Sequence, residues 1–97
     1  MIGPGLPGFN FNRASIIANA PTVSGVYAIY NYDNYIYFGE GKDIQARLID
    51  HLSGDNACIL RHQPTGFAFE AVGALLRVSR QDALILQLRP LCNQRLG

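Results

Sequence analysis

Gly25-Val26-Tyr27-Ala28-Ile29-Tyr30, Asn31-Tyr32-Asp33-Asn34 and Tyr35-Ile36-Tyr37-Phe38-Gly39 form the stretch that decides the fold. Two runs rich in β-branched and aromatic residues flank four residues of turn chemistry, the pattern of a hairpin. The hydrophobic alternation suggests a register. Pairing Tyr27 across from Tyr37 sets Ala28 against Ile36 and Val26 against Phe38. One face is then apolar and the other carries phenols, whereas a one-residue slip would mix them.

Downstream, Gly41 and Asp43 open a helix running to about residue 53, with Ile44, Leu48, Ile49 and Leu52 as its apolar stripe. Arg47 and His51, four apart, stack on one flank of that stripe and border the core. Gly54-Asp55-Asn56 breaks the helix, and a short helical turn through Cys58 and Leu60 follows. Pro64-Thr65-Gly66 leads into a third strand over residues 67–72, which alternates cleanly. Ser79 is placed to cap a last helix, with Asp82 at the capping-box position. Leu84, Ile85 and Leu88 form its buried face, and Pro90 ends it.

Upstream, Gly3, Pro4, Gly5, Pro7 and Gly8 make residues 1–10 an irregular arm. Asn12 caps a short helix, Arg13–Asn19, which stops before Pro21. The expected organisation is one globular domain of the α/β (α+β) class: an arm with a short helix over residues 1–23, and the main body over 24–97.

Bulk properties agree with a single small domain. A chain of 97 residues, 48% hydrophobic and 15% charged, can bury one modest core without staples. The net charge of +1 is weaker than a dedicated nucleic-acid binder usually carries. Seven of the eight basic residues are Arg, however, and only Lys42 is Lys. Arg is the better bidentate ligand for phosphate. Residues 1–11 lack the basic start and apolar core of a secretory signal, and no run reaches transmembrane length. Cys58 and Cys92 are therefore expected to be reduced thiols in the cytoplasm, with Cys58 half-buried on a helix.

Two phenols, a guanidinium and an imidazole (Tyr27, Tyr37, Arg47 and His51) fall within 25 residues, at spacings that a hairpin and a helix can bring together. All are groups that handle phosphate. The remaining tyrosines, Tyr30, Tyr32 and Tyr35, are explained by packing and turn exposure, and His62 by surface exposure.

The ordered set Gly25-Val26-Tyr27, Tyr37-Phe38-Gly39, Arg47, His51, Phe67 to Glu70, Leu84-Ile85, Pro90 and Asn93 resembles the GIY-YIG nuclease superfamily. Each triplet alone is a weak signal; the set at these spacings is specific, and it covers most of the chain. The resemblance implies a three-stranded antiparallel sheet flanked by helices and endonucleolytic cleavage of DNA with one Mg2+ or Mn2+. It implies Tyr27 as general base or water-orienting group and Tyr37 as a hydrogen-bonding partner of phosphate or water. Arg47 would hold the scissile phosphate, His51 would take or orient the Tyr27 proton, and Asn93 would close the site.

The bland readings stand beside these roles: an ion pair of Arg47 with Asp43 or Asp50, a structural His51, and an Asn93 that pins the tail. Arg47, Arg80 and Lys42 are the candidate DNA contacts. Arg77, Arg80 and Arg89 equally suit a solvated helix face.

One departure from the family is serious, beside two smaller ones at Phe38 and Gly41. The family's metal ligand is a Glu three residues before the Leu-Ile pair, and this chain has Gln81 there. An amide offers a hard cation a dipole where a carboxylate offers charge. Gln81 fits a branch using another ligand, a replacement made to disarm a nuclease, or a natural pseudo-enzyme that only binds nucleic acid or protein. Glu70, or Glu40, is the substitute carboxylate, and Asp82 is assigned to capping. With only the arm over residues 1–19 expected to serve as a DNA-binding module, affinity for DNA would be weak and salt-dependent unless the protein forms a homodimer or a partner recruits it.

Overall fold

A computed structural model describes residues 8–93. In chain order its elements are β1 (Phe9–Asn10), α1 (Arg13–Asn19), β2 (Gly25–Tyr30), β3 (Tyr35–Gly41), α2 (Ile44–Leu52), α3 (Ala57–Arg61), β4 (Gly66–Ala71) and α4 (Arg77–Leu88). The strands form one antiparallel sheet in the order β1-β4-β2-β3, and helices cover both faces.

The sheet has one strand more than expected. Phe9 and Asn10, assigned to an irregular arm, pair with Phe67 and Gly66. The ring of Phe9 lies 5.5 Å from that of Phe67 and 5.9 Å from that of Phe69, and this aromatic burial outweighs the breakers that precede it. The rest of the expected irregular run, residues 1–7, lies outside the described residues. Asn12 caps α1 as expected, its side chain accepting from the Ser15 N–H.

The hairpin forms, but its register differs from expectation by two positions. Tyr27 faces Gly39, and Ile29 faces Tyr37. Two local causes set this register. The Asn31 side chain accepts from the N–H groups of Asp33 and Asn34, which closes a tight turn and places Tyr30 opposite Tyr35. At the other end, a Cβ at position 39 would overlap the Tyr27 ring, so only glycine suits the residue opposite it. A shift of two keeps the parity, and Tyr27 and Tyr37 still share a face.

That face is not polar. Tyr27, Ile29 and Phe67 pack there with Ile16 of α1, Ile44 and Leu48 of α2 and Ile59 of α3 in the larger core. Ile36 joins them because a bulge interrupts the ladder between the Ile29 and Tyr30 pairs, leaving it as the extra residue. On the other face Val26, Ala28 and Phe38 pack against Leu84, with Ile85 and Leu88 half-buried beside them.

Asp43 caps α2 by accepting from the Ala46 N–H. The capping box expected at Ser79 does not form. The last helix starts earlier, at Arg77, and its cap residue Leu76 provides no side-chain bond. Arg77 is anchored by Glu40 at 2.6 Å and by the Ser24 hydroxyl at 3.0 Å, which fixes the first turn ahead of Ser79. Arg89 closes the helix in the left-handed conformation just before Pro90.

The cysteines also depart from expectation. Cys58 and Cys92 are joined as a disulfide, with 5.8 Å between their Cα atoms. They are 34 residues apart, and what brings them together is the return of the segment after α4 along β3. There the Leu91 N–H donates to the Tyr35 carbonyl and the Cys92 N–H to the Ile36 carbonyl. Among the described residues, no helix is long and apolar enough to cross a membrane.

Candidate functional site

The last turn of α2 presents His51 to β2. The residue is 1% exposed, and Tyr27 beneath it is fully buried. The Tyr27 hydroxyl lies 2.6 Å from Nε2 of His51, and Nδ1 of His51 lies 2.8 Å from Oδ1 of Asp55. An ionised carboxylate can only accept, so Nδ1 carries the hydrogen and Nε2 takes the hydrogen bond from Tyr27. The three residues form one directed chain, Tyr27 to His51 to Asp55.

Burial pushes the His51 pKa below its ordinary 6.5, against the opposing pull of the Asp55 carboxylate. Burial also pushes the Tyr27 phenol well above its ordinary 10.0; Tyr37 adds to the rise and the Arg47 charge opposes it. Both groups are neutral at pH 7, and the phenol donates a hydrogen bond to Nε2; burial of the pair opposes full transfer of the proton, and the Arg47 charge favours it.

Arg47 stands one turn earlier on α2. Its Nη1 is 2.8 Å from Asp50 and 3.5 Å from Asp55, so the ion pair with Asp50 does form. The same guanidinium lies close enough to Tyr27 to favour its ionised form.

Tyr37 is half-buried, its ring 5.0 Å from the His51 ring and 6.4 Å from that of Tyr27. It lines an open groove of about 680 Å³ with Gln81, Asp82, Cys92 and Asn93. Asn93 holds the backbone of Phe38 from both sides: Oδ1 accepts from its N–H at 2.7 Å and Nδ2 donates to its carbonyl at 2.9 Å. The residue is thus a pin for the tail and a wall of the groove together.

The sequence-derived set therefore divides. Tyr37, Gln81 and Asn93 meet in the groove, while Tyr27, His51 and Arg47 gather behind Tyr37. Glu70 and Arg80 do not join them. They pair with each other at 2.9 Å and line a separate groove beside Val72. Glu40 is held by Arg77, and Lys42 is exposed between β3 and the cap of α2.

Two residues of consequence escaped the sequence reading. Asp55 was taken only as part of a helix-breaking Gly54-Asp55-Asn56, although its spacing of four from His51 repeats that of Arg47 to His51. Asp82 was assigned to capping, but it faces the groove and accepts from Gln81 Nε2 at 3.3 Å.

A hard divalent cation takes oxygen ligands, and Mg2+ commonly keeps several waters and uses one or two carboxylates plus substrate phosphates. Asp82 offers a carboxylate in the groove, and Gln81, whose Nε2 points to that carboxylate, would offer its amide oxygen only on turning over. Among the described residues, the only group of three Cys, His or carboxylate ligands lies elsewhere, at Cys58, His62 and Cys92.

Comparison with known proteins bears on the fold and the family. The N-terminal endonuclease domain of UvrC from Thermotoga maritima is similar in structure. A point mutant bound to its catalytic divalent cation superposes with a TM-score of 0.71 and 27% identity, covering 81% of this chain and 91% of that one. The magnesium-bound form gives 0.70 and 26%, covering 79% and 90%. An asparagine-to-alanine point mutant of the same domain gives 0.71 and 26%, covering 81% and 91%. A search of curated proteins returned no match. The family model described as the GIY-YIG catalytic domain matches residues 23–80, a span holding the hairpin, α2 and β4. With more than half of its length matched in this way, the chain belongs to the GIY-YIG catalytic domain family.

Proposed function

We propose that this domain hydrolyses DNA phosphodiester bonds with the help of a divalent cation. The observation that carries the reading is the directed chain from Tyr27 through His51 to Asp55, set directly behind the groove-facing Tyr37. Hydrolysis needs an activated water, a sink for its proton and positive charge around a crowded anionic transition state. Tyr37 meets the water or phosphate in the groove. Tyr27 is the inner phenol: the water's proton moves to it as it passes its own to His51 Nε2, the Arg47 charge favours this transfer against the burial of both groups, and Asp55 stabilises the imidazolium that results. Arg47 holds a phosphate oxygen by exchanging its exposed contact with Asp50 for a charge-assisted bond to substrate.

The Mg2+ or Mn2+ held by Asp82 and Gln81 would supply positive charge to the phosphate oxygens. Asn93 keeps this wall of the groove in place. Lys42 and Arg80 are outlying DNA contacts, Arg80 after release from Glu70. Weak affinity is raised by a homodimer or a recruiting partner. A DNA substrate puts the work in the cytoplasm, where a disulfide is transient and thiols are the resting form.

A second reading, a binding module for nucleic acid or protein without cleavage, is favoured by Gln81 alone. Incubating the protein with supercoiled plasmid and Mn2+ separates the two. Nicking by the wild type that is lost in Tyr27→Phe supports hydrolysis. No nicking by the wild type or by Gln81→Glu would leave the binding module.

A further inference from the structure

Cys58 and His62 lie four apart at α3 and its C-cap, so both side chains leave the same side of one helical turn. Cys92 reaches them from the segment that runs back along β3. One sulfur or ring-nitrogen atom from each lies within 4.8 Å of the others, and all three residues are half-buried. A disulfide explains two members of this cluster but gives the imidazole no part.

Two thiolates and an imidazole are the donor set of a borderline-soft cation such as Zn2+, with Zn–S near ~2.3 Å and Zn–N near ~2.0–2.1 Å. Those bond lengths set the two sulfurs roughly 3.8 Å apart in a tetrahedron. The 5.8 Å between the Cα atoms accommodates that spacing once the sulfurs part.

We propose that the reduced protein binds a zinc-class divalent cation through Cys58, His62 and Cys92. The disulfide and the metal are alternative clips between α3 and the C-terminal segment. The chemistry balances in two steps. A dithiol reductant exchanges with the Cys58–Cys92 bond, releasing both thiols and becoming a disulfide itself. The cation then displaces one proton from each thiol and is bound by two thiolates and the imidazole, with water completing its shell.

The consequence for the groove lies one residue further on. Asn93 follows Cys92, and its amide brackets the Phe38 backbone beside Tyr37. Either clip tethers that segment, while reduction without metal leaves it to the hydrogen bonds alone. The proposal is independent of whether the groove cleaves DNA.

Co2+ is the probe, because thiolate ligation gives an intense near-ultraviolet charge-transfer band and tetrahedral cobalt a strong visible one. The full-length protein is reduced with a phosphine, freed of metal and titrated anaerobically. The expected result is one equivalent of Co2+ with both bands, their loss on adding Zn2+, and no bands in the oxidised protein. Cys92→Ser should abolish the near-ultraviolet band. His62→Ala should weaken binding at least as much as the roughly 10–100-fold that follows loss of a mere second-shell partner. Reduced wild type without a sulfur-to-cobalt band would overturn the proposal, as would unchanged affinity in His62→Ala. The comparison of reduced with oxidised wild type needs no variant to fold.

Discussion

Oδ1 of Asp55 lies 2.8 Å from Nδ1 of His51, and this contact decides that the opposite nitrogen of the ring faces Tyr27 as an acceptor. In the proposed mechanism Asp55 is thus a positioning residue for a proton path it does not itself enter. Tyr27→Phe should lower the cleavage rate by about 10²–10⁴-fold, the range for losing a general acid or base. Asp55→Ala should lower kcat with little change in KM and shift the pH profile. Plasmid nicking by Asp55→Ala at the wild-type rate at every pH would sink the relay.

Arg47→Ala separates site from scaffold. The pairs that Arg47 makes are exposed, with side chains 37% accessible for Arg47, 54% for Asp50 and 39% for Asp55, so losing them should cost less than about 1 kcal/mol. Cleavage should nevertheless fall sharply. Leu48→Ala, next to it but at zero exposure, should cost about 2–5 kcal/mol by opening a cavity in the core. Urea unfolding of both variants checks the contrast, and an unfolded Arg47→Ala would refute the functional role.

The depressed pKa of His51 has a defined sign. Above pH 6.5 the imidazole is neutral in folded and unfolded chains alike, and its contribution does not vary. As pH falls below 6.5, the unfolded chain takes up the proton first, so stability drops until the folded pKa is passed. Activity should follow the folded pKa and survive to lower pH than an ordinary imidazole would permit. A plasmid-nicking profile with its acid limb above pH 6.5 would contradict this; His51→Ala should remove the corresponding limb from the stability curve.

Gln81 and Asp82 test the metal assignment. Gln81→Glu adds a second carboxylate to the groove and should raise Mn2+-dependent nicking and lower the Mn2+ concentration needed. Asp82→Asn in the wild-type background should reduce both binding and nicking. Manganese affinity measured by electron paramagnetic resonance gives a readout apart from activity, and an Asp82→Asn protein that binds Mn2+ like wild type would remove Asp82 from the site.

The disulfide makes a prediction about the unfolded chain. Closing a loop across a separation of 34 residues should stabilise the fold by about 3–4 kcal/mol in the chain-entropy account. Reduction in a metal-chelating buffer should therefore lower the urea midpoint without changing the folded spectrum. Equal midpoints for the oxidised and reduced protein would show that the pair contributes nothing.

The elements that were legible in the sequence rest on local signals. The Asn31 turn, the Asp43 and Asn12 caps, the apolar stripe around Leu48 and the stop at Pro90 each depend on neighbours within a few residues. The hairpin register did not, because the close approach of Tyr27 to Gly39 and the tight turn compete with simple hydrophobic matching. The Phe9 strand was hidden because its partner Phe67 is distant in sequence. Tyr27, Tyr37, Arg47 and His51 were found by spacing and resemblance. Asp55 was not, since a residue directly after a glycine reads as a breaker before it reads as a hydrogen-bond partner. Asp82 was obscured by a capping box that the Arg77 anchor pre-empts.

The grip of Asn93 on Phe38 has a consequence for solution behaviour. β3 is one of the two outer strands of the sheet, and a bare outer strand offers its free backbone groups to any other extended chain. Leu91, Cys92 and Asn93 occupy those groups at Tyr35, Ile36 and Phe38 in place of a foreign strand. The contact that shapes the groove also closes this edge of the sheet to a strand from a second copy.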